Sequence, residues 1–110
     1  MKKVEVVAAI VKFGREILCV QRPENKLSYI SKKFEFPGGK IETGETKKEA
    51  LKRELIEELD IIPIIDDLFL TVVYQYPDFE LTMHSFICKA ETKELTLHEH
   101  IAHKWLTLDE

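Results

Sequence analysis

Only one stretch of this 110-residue chain carries a helical pattern, and it stands among segments that read as strands. Thr46 and Glu49 have the spacing of a capping box, in which each side chain satisfies the other residue's backbone amide. Leu51, Leu55 and Leu59 recur every fourth residue and form one apolar stripe, so a helix is expected from about Lys47 to Leu59. Pro63 cannot continue it. A lone helix excludes the repeated strand–helix alternation of a doubly wound fold. It points to an α+β class, with a mixed or antiparallel sheet and the helix against one face.

The remaining elements follow from apolar runs and turn residues. Val4 to Phe13 is nearly all apolar and suits a strand buried on both faces. Gly14-Arg15 is a turn, and Glu16 to Gln21 reads as the returning strand. Arg22 to Lys33 is polar and reads as a loop, and Phe34 to Phe36 as a short strand stopped by Pro37-Gly38-Gly39. Asp66-Asp67 lead into a strand from Leu68 to Gln75. After a turn at Tyr76-Pro77-Asp78, a long strand runs from Phe79 to Ala90. A loop around His98 to His100 precedes a short strand from His103 to Leu106.

Such a chain is long enough for one domain, residues 1–110, and too short for two. With 45% hydrophobic and 33% charged residues it has a globular rather than a disordered composition. A formal charge of -4 argues against a broad nucleic-acid-binding surface, which needs basic residues. An acidic protein that handles a polyanion must import positive charge, and metal ions can supply it. Cys19 and Cys88 both lie in apolar runs and read as small core residues, without disulfide or zinc-ribbon spacing. No apolar run is long enough to span a membrane, and no signal-peptide pattern opens the chain, so a cytoplasmic setting is expected.

At 100° per residue, Glu54, Glu57 and Glu58 fall in a narrow arc beside the leucine stripe. Alone, they would read as a solvated acidic face relieved by Lys52 and Arg53, since each like-charged neighbour costs a few tenths of a kcal/mol. The residues before the helix change that reading. Pro37 to Glu45 places three glycines in a tight loop, where the backbone can approach an ion closely. Carbonyls next to carboxylates make a hard oxygen site suited to Mg²⁺ or Mn²⁺.

From Gly39 the chain reads glycine, five residues, Glu45, seven residues, then Arg53-Glu54-Leu55-Ile56-Glu57-Glu58-Leu59-Asp60-Ile61. This resembles the Nudix box of Nudix hydrolases at every fixed position but one. The family's pattern has glycine where Asp60 stands, and aspartate can take the left-handed conformation wanted there at roughly 1 kcal/mol. Val4 to Ile10, Gln21-Arg22-Pro23 and Phe34 to Lys40 look like the MutT branch, the opening strand being closer to its CTP pyrophosphohydrolases than to its oxidised-dGTP diphosphatases.

The resemblance implies the Nudix fold, an α/β/α sandwich. Thr107 to Glu110 has capping-box spacing, so the last helix is expected to lie outside the given chain. It also implies Mg²⁺-dependent cleavage of a nucleoside triphosphate to a monophosphate and pyrophosphate; the sequence leaves monomer and homodimer both open. Carried over position by position, Glu54, Glu57, Glu58 and the Gly38 carbonyl would bind metal. Arg53 and Glu45 would orient the carboxylates, and either Glu54 or Glu99 would be the general base, Glu99 as a further ligand. Arg22 would contact phosphate and Phe36 could stack on a base. Phe79 stands where oxidised-guanine members carry a substrate-binding arginine. His98, His100 and His103 read as a solvated loop with one or two substrate contacts rather than a zinc site, and His84 as structural. Two rivals remain: a hydrolase of another nucleoside diphosphate derivative, and a nucleotide sensor without turnover.

Overall fold

A computed structural model of the chain describes residues 2–24 and 32–107. They form seven strands and one helix: β1 (Lys2–Phe13), β2 (Glu16–Gln21), β3 (Phe34–Glu35), β4 (Gly38–Lys40), α1 (Lys47–Leu59), β5 (Ile64–Gln75), β6 (Phe79–Lys89) and β7 (Ala102–Thr107). The sheet is mixed, in the order β3-β2-β1-β6-β5, with β4 added to β1 and β7 to β2. β1 pairs in parallel with β6 from Lys2↔Phe79 to Lys12↔Lys89, and every other pairing is antiparallel.

Helix α1 lies on one face of this sheet. Ala50, Leu51, Leu55 and Leu59 are buried against Val7, Ala9 and Val11 of β1, Leu18 and Val20 of β2, and Phe86 and Cys88 of β6. Alternation along β1 turns Val4, Val6 and Ala8 to the opposite face. The expected burial of β1 on both faces therefore holds only for its middle: Val7, Ala8, Ala9 and Val11 are buried, while Lys2, Lys3, Glu5, Lys12 and Phe13 are exposed.

Three local expectations are corrected. Pro37-Gly38-Gly39 closes β3, which ends at Glu35, but Gly38 and Gly39 are themselves the start of a further strand that takes the chain from β2 across to β1. Proline lacks an amide but keeps its carbonyl, which accepts from the Ala9 amide at 2.8 Å, and Gly38 to Lys40 then pair with Ala8 to Val6. A Cβ at Gly38 would lie 2.0 Å from the Val7 carbonyl oxygen, so glycine is required by close strand contact. Second, β5 begins at Ile64 rather than Leu68, because Asp66 and Asp67 sit in a register break between Ile65 and Leu68. Third, Cys88 is buried in the core but Cys19 is only half-buried. The helix start expected at Thr107 to Glu110 falls on residues 108–110, outside the described residues, and the loop from Arg22 to Lys33 is described only at its two ends.

Candidate active site

The N-terminus of α1 forms as its sequence requires. Thr46 accepts from the Glu49 amide at 3.1 Å, and Glu49 accepts from the Thr46 amide at 2.8 Å. At the other end Asp60 adopts the left-handed conformation, φ 56° and ψ 29°, and its amide donates to the Ile56 carbonyl. The caps set where the helix begins and ends, and its buried face of Ala50, Leu51, Leu55 and Leu59 sets the rotation that places the carboxylates.

Arg53 is the hub. Its guanidinium clasps Glu45 with two bonds, Nε to Oε2 at 2.7 Å and Nη2 to Oε1 at 3.0 Å. Nη1 reaches Glu54 at 2.9 Å and Glu57 at 3.4 Å, and Nη2 donates to the Lys40 carbonyl at 3.0 Å. A planar fork with five donors can join loop, strand and helix in this way, where a lysine ammonium could not. Arg53 holds the Glu45 carboxyl below the ordinary carboxylate range, and Glu45 in turn pushes the guanidinium pKa further up.

Gly39 sets the position of Glu54. A Cβ there would lie 2.4 Å from the Glu54 carboxyl carbon and 2.6 Å from each oxygen. Only glycine leaves room for that carboxylate against β4. Its torsions are not left-handed; among glycines of the loop, that conformation belongs to Gly44, at φ 87°. Carbonyl direction alternates along a strand. The Pro37 carbonyl faces β1, whereas the Lys40 carbonyl turns toward Arg53. By the same alternation the Gly38 carbonyl points away from β1, to the side of the helix carboxylates.

Glu58 is the most perturbed acid. Burial raises its pKa first, followed by a hydrogen bond and charge repulsion from Glu54 and then the same from Glu99, to about 9. The fold therefore brings Glu54, Glu58 and Glu99 together, although Glu99 lies 41 positions beyond Glu58 in the chain. Glu57 is 60% exposed and leans on Arg53. As the side chains stand, no three His, Cys, Asp or Glu among the described residues converge closely enough to hold an ion. The donor set nevertheless suits a hard divalent cation, since Glu58 is a carboxyl crowded by two others and short of positive charge.

On the opposite side of β4, a cavity of about 320 Å³ is lined by Val4, Val6, Leu81, Tyr76 and Phe79, with Arg22, Lys33 and Lys40 at its polar side. The Tyr76 and Phe79 rings stack, with centroids 4.8 Å apart and planes at 26°. Gly39 and Lys40 line this cavity while also touching the carboxylate site, so the two regions adjoin. Arg22 is bonded to Glu35, whose carboxyl is pushed up by burial despite that partner. Phe36 lines a neighbouring cavity with Phe34, Cys19 and Tyr74 instead.

The histidines do not converge. His84 is buried between Thr71, at 2.9 Å, and Glu5, at 2.7 Å, which fits a structural role. His98 pairs with Asp60, and His103 is exposed on β7 opposite Val20. Burial and the nearby charge of Arg22 lower the His100 pKa, and its Nδ1 is buried without a hydrogen-bond partner. Sequence reasoning missed Glu35, Lys33, Tyr76 and the Asp60–His98 contact. Strand alternation could have flagged Glu35, which faces opposite to Phe34 and Phe36. Nothing local links Asp60 to His98.

A NUDIX domain family model matches residues 1–110. The chain is 34% identical over 109 residues to an 8-oxo-dGTP diphosphatase of Escherichia coli, covering 98% of this chain and 83% of that one. It is equally identical, 34% over 110 residues, to a CTP pyrophosphohydrolase of the same organism, covering 100% and 80%. The crystal structure of a MutT protein from Methanosarcina mazei superposes with a TM-score of 0.89 at 26% identity, covering 98% of this chain and 79% of that one.

Proposed function

This chain belongs to the NUDIX family and is a hydrolase of phosphoanhydride bonds, and we propose that it converts nucleoside triphosphates to monophosphates and pyrophosphate with Mg²⁺, Mn²⁺ serving in its place. Relatives named 8-oxo-dGTP diphosphatase and CTP pyrophosphohydrolase support a nucleotide pyrophosphohydrolase. The observation that carries the finer reading is the single arginine, Arg53, tying Glu45, Glu54, Glu57 and the Lys40 carbonyl into one unit beside a cationic, aromatic cavity.

Glu54, Glu57, Glu58 and the Gly38 carbonyl would hold the metal, with Glu99 reaching in from the loop. When bound, divalent ions offset polyphosphate charge and acidify the attacking water. Arg53 and Glu45 hold Glu54 in one rotamer, so that the carboxylate does not have to be ordered during the reaction. Glu54 and Glu99 are the two candidates to take the water's proton, both lying against Glu58. Arg22 and Lys33 face the cavity as phosphate partners, and the stacked Tyr76 and Phe79 offer an apolar surface for a base. This is electrostatic positioning without a covalent intermediate.

The test is a panel of ordinary and oxidised (d)NTPs incubated with Mg²⁺, Mn²⁺ or EDTA, with pyrophosphate and orthophosphate measured separately. Pyrophosphate release that EDTA abolishes is expected. Orthophosphate as the first product, or turnover unaffected by EDTA, would contradict the proposal.

A further inference from the structure

Asp60 is one of two residues other than glycine, among those described, that adopt a positive φ. Glycine would meet the backbone requirement there without steric cost. The aspartate side chain does something glycine cannot: its Oδ2 lies 3.0 Å from His98 Nε2, joining positions 38 residues apart. Two backbone bonds run beside this contact. The Thr96 amide donates to the Leu59 carbonyl at 3.0 Å and the His98 amide to the Glu58 carbonyl at 3.1 Å. The last turn of α1 contains no basic side chain, so these loop amides are what satisfies its final carbonyls. Glu99 follows His98 directly and meets Glu58 at the end of the same turn.

We propose that Asp60 and His98 are positioning residues: their side-chain contact clasps the 95–99 loop to the C-terminus of α1 and thereby fixes Glu99 against Glu58. The proposal rests on the reading of Glu58 and Glu99 as metal-site residues. Both partners are about half exposed, 46% for His98 and 55% for Asp60, so the clasp adds little to global stability. Its effect is directional. Without it the loop keeps its two backbone bonds, but the Glu99 side chain is held less closely against Glu58.

The experiment compares Asp60→Gly, Asp60→Asn and His98→Ala with the wild type in the intact chain. Mn²⁺ binding is followed by electron paramagnetic resonance without nucleotide, and kcat and KM are measured at saturating Mg²⁺. Asp60→Gly removes the contact while easing the backbone, so its melting temperature should hold or rise. Its Mn²⁺ affinity and kcat should fall about 3- to 10-fold with KM for nucleotide unchanged, as expected when a substitution outside the reacting centre displaces a group within it. His98→Ala should match it. Asn accepts the same bond and tolerates the same torsions, so Asp60→Asn should restore wild-type values. Asp60→Gly with wild-type affinity and kcat, or Asp60→Asn as impaired as Asp60→Gly, would overturn the clasp alone. A wild type that binds no Mn²⁺ would instead refute the metal reading, and the clasp with it.

Discussion

Glu58→Gln separates what the carboxylate cluster does for function from what it does to the fold. In the metal-free protein, burial and the neighbouring Glu54 and Glu99 raise the Glu58 pKa from the usual 4.5 to about 9. The folded chain therefore keeps a proton there that the unfolded chain releases. A carboxyl raised in this way contributes full stability below pH 4.5 and loses it as pH climbs toward 9. At about 1.4 kcal/mol for each pH unit, the ceiling on that loss is roughly 6 kcal/mol. Partial exposure and sharing of the proton with Glu54 reduce it to about 1–3 kcal/mol. Glutamine cannot ionise and escapes the loss. In EDTA, the variant should melt with the wild type at pH 5 but about 3–18 °C above it at pH 9, at about 3–6 °C for each kcal/mol in a chain of this size. Adding Mg²⁺ should raise the wild type's melting temperature and leave the variant's nearly unchanged. Calorimetry at the two pH values decides. An offset of equal size at both, or a variant less stable at pH 9, would refute the claim that an uncompensated carboxyl is stored at this position.

Three other perturbations probe the same site and its surroundings. Glu57→Gln should cut turnover by at least about 100-fold while circular dichroism stays native, because Glu57 is largely exposed and its ion partner is the neighbouring Arg53. Gly39→Ala drives a methyl group to within 2.4 Å of the Glu54 carboxyl and should cost about 100-fold in kcat by displacing it, with a far smaller change in nucleotide KM. Burial holds the Cys88 thiol up at about 12 and raises Cys19 less, so an exposed-thiol reagent at pH 8 should label Cys19 first and leave Cys88 unmodified until the chain unfolds.

Much of this fold is legible because its signals are local. The capping box at Thr46, the leucine stripe and the hairpin turn at Gly14 each specify their element within a few residues, and α1 spans the expected Lys47–Leu59. The parallel pairing of β1 with β6 is not legible in this way, since it joins residues about 77 apart and depends on the whole core closing. Nor is the crossing at Pro37, where two glycines read as a stop. Their lack of side chains serves contact, with Val7 at Gly38 and with the Glu54 carboxylate at Gly39. In the site, the helical arc of Glu54 and Glu58 follows from periodicity. Its surroundings, the Lys40 carbonyl on Arg53 and the carboxyl of Glu99, arrive from a strand and a late loop, and only the assembled sheet brings them near. Phe36, an aromatic before the glycines, lines a cavity that shares Tyr76 and Leu81 with the one beside Phe79, an adjacency no local signal gives.

The most direct test of a cation held by the α1 carboxylates is anomalous diffraction at the manganese edge from crystals soaked in Mn²⁺. The account predicts a peak bounded by the Gly38 carbonyl, Glu54, Glu57 and Glu58, with Glu99 at its rim. No peak there, or manganese bound instead among His98, His100 and His103, would contradict it.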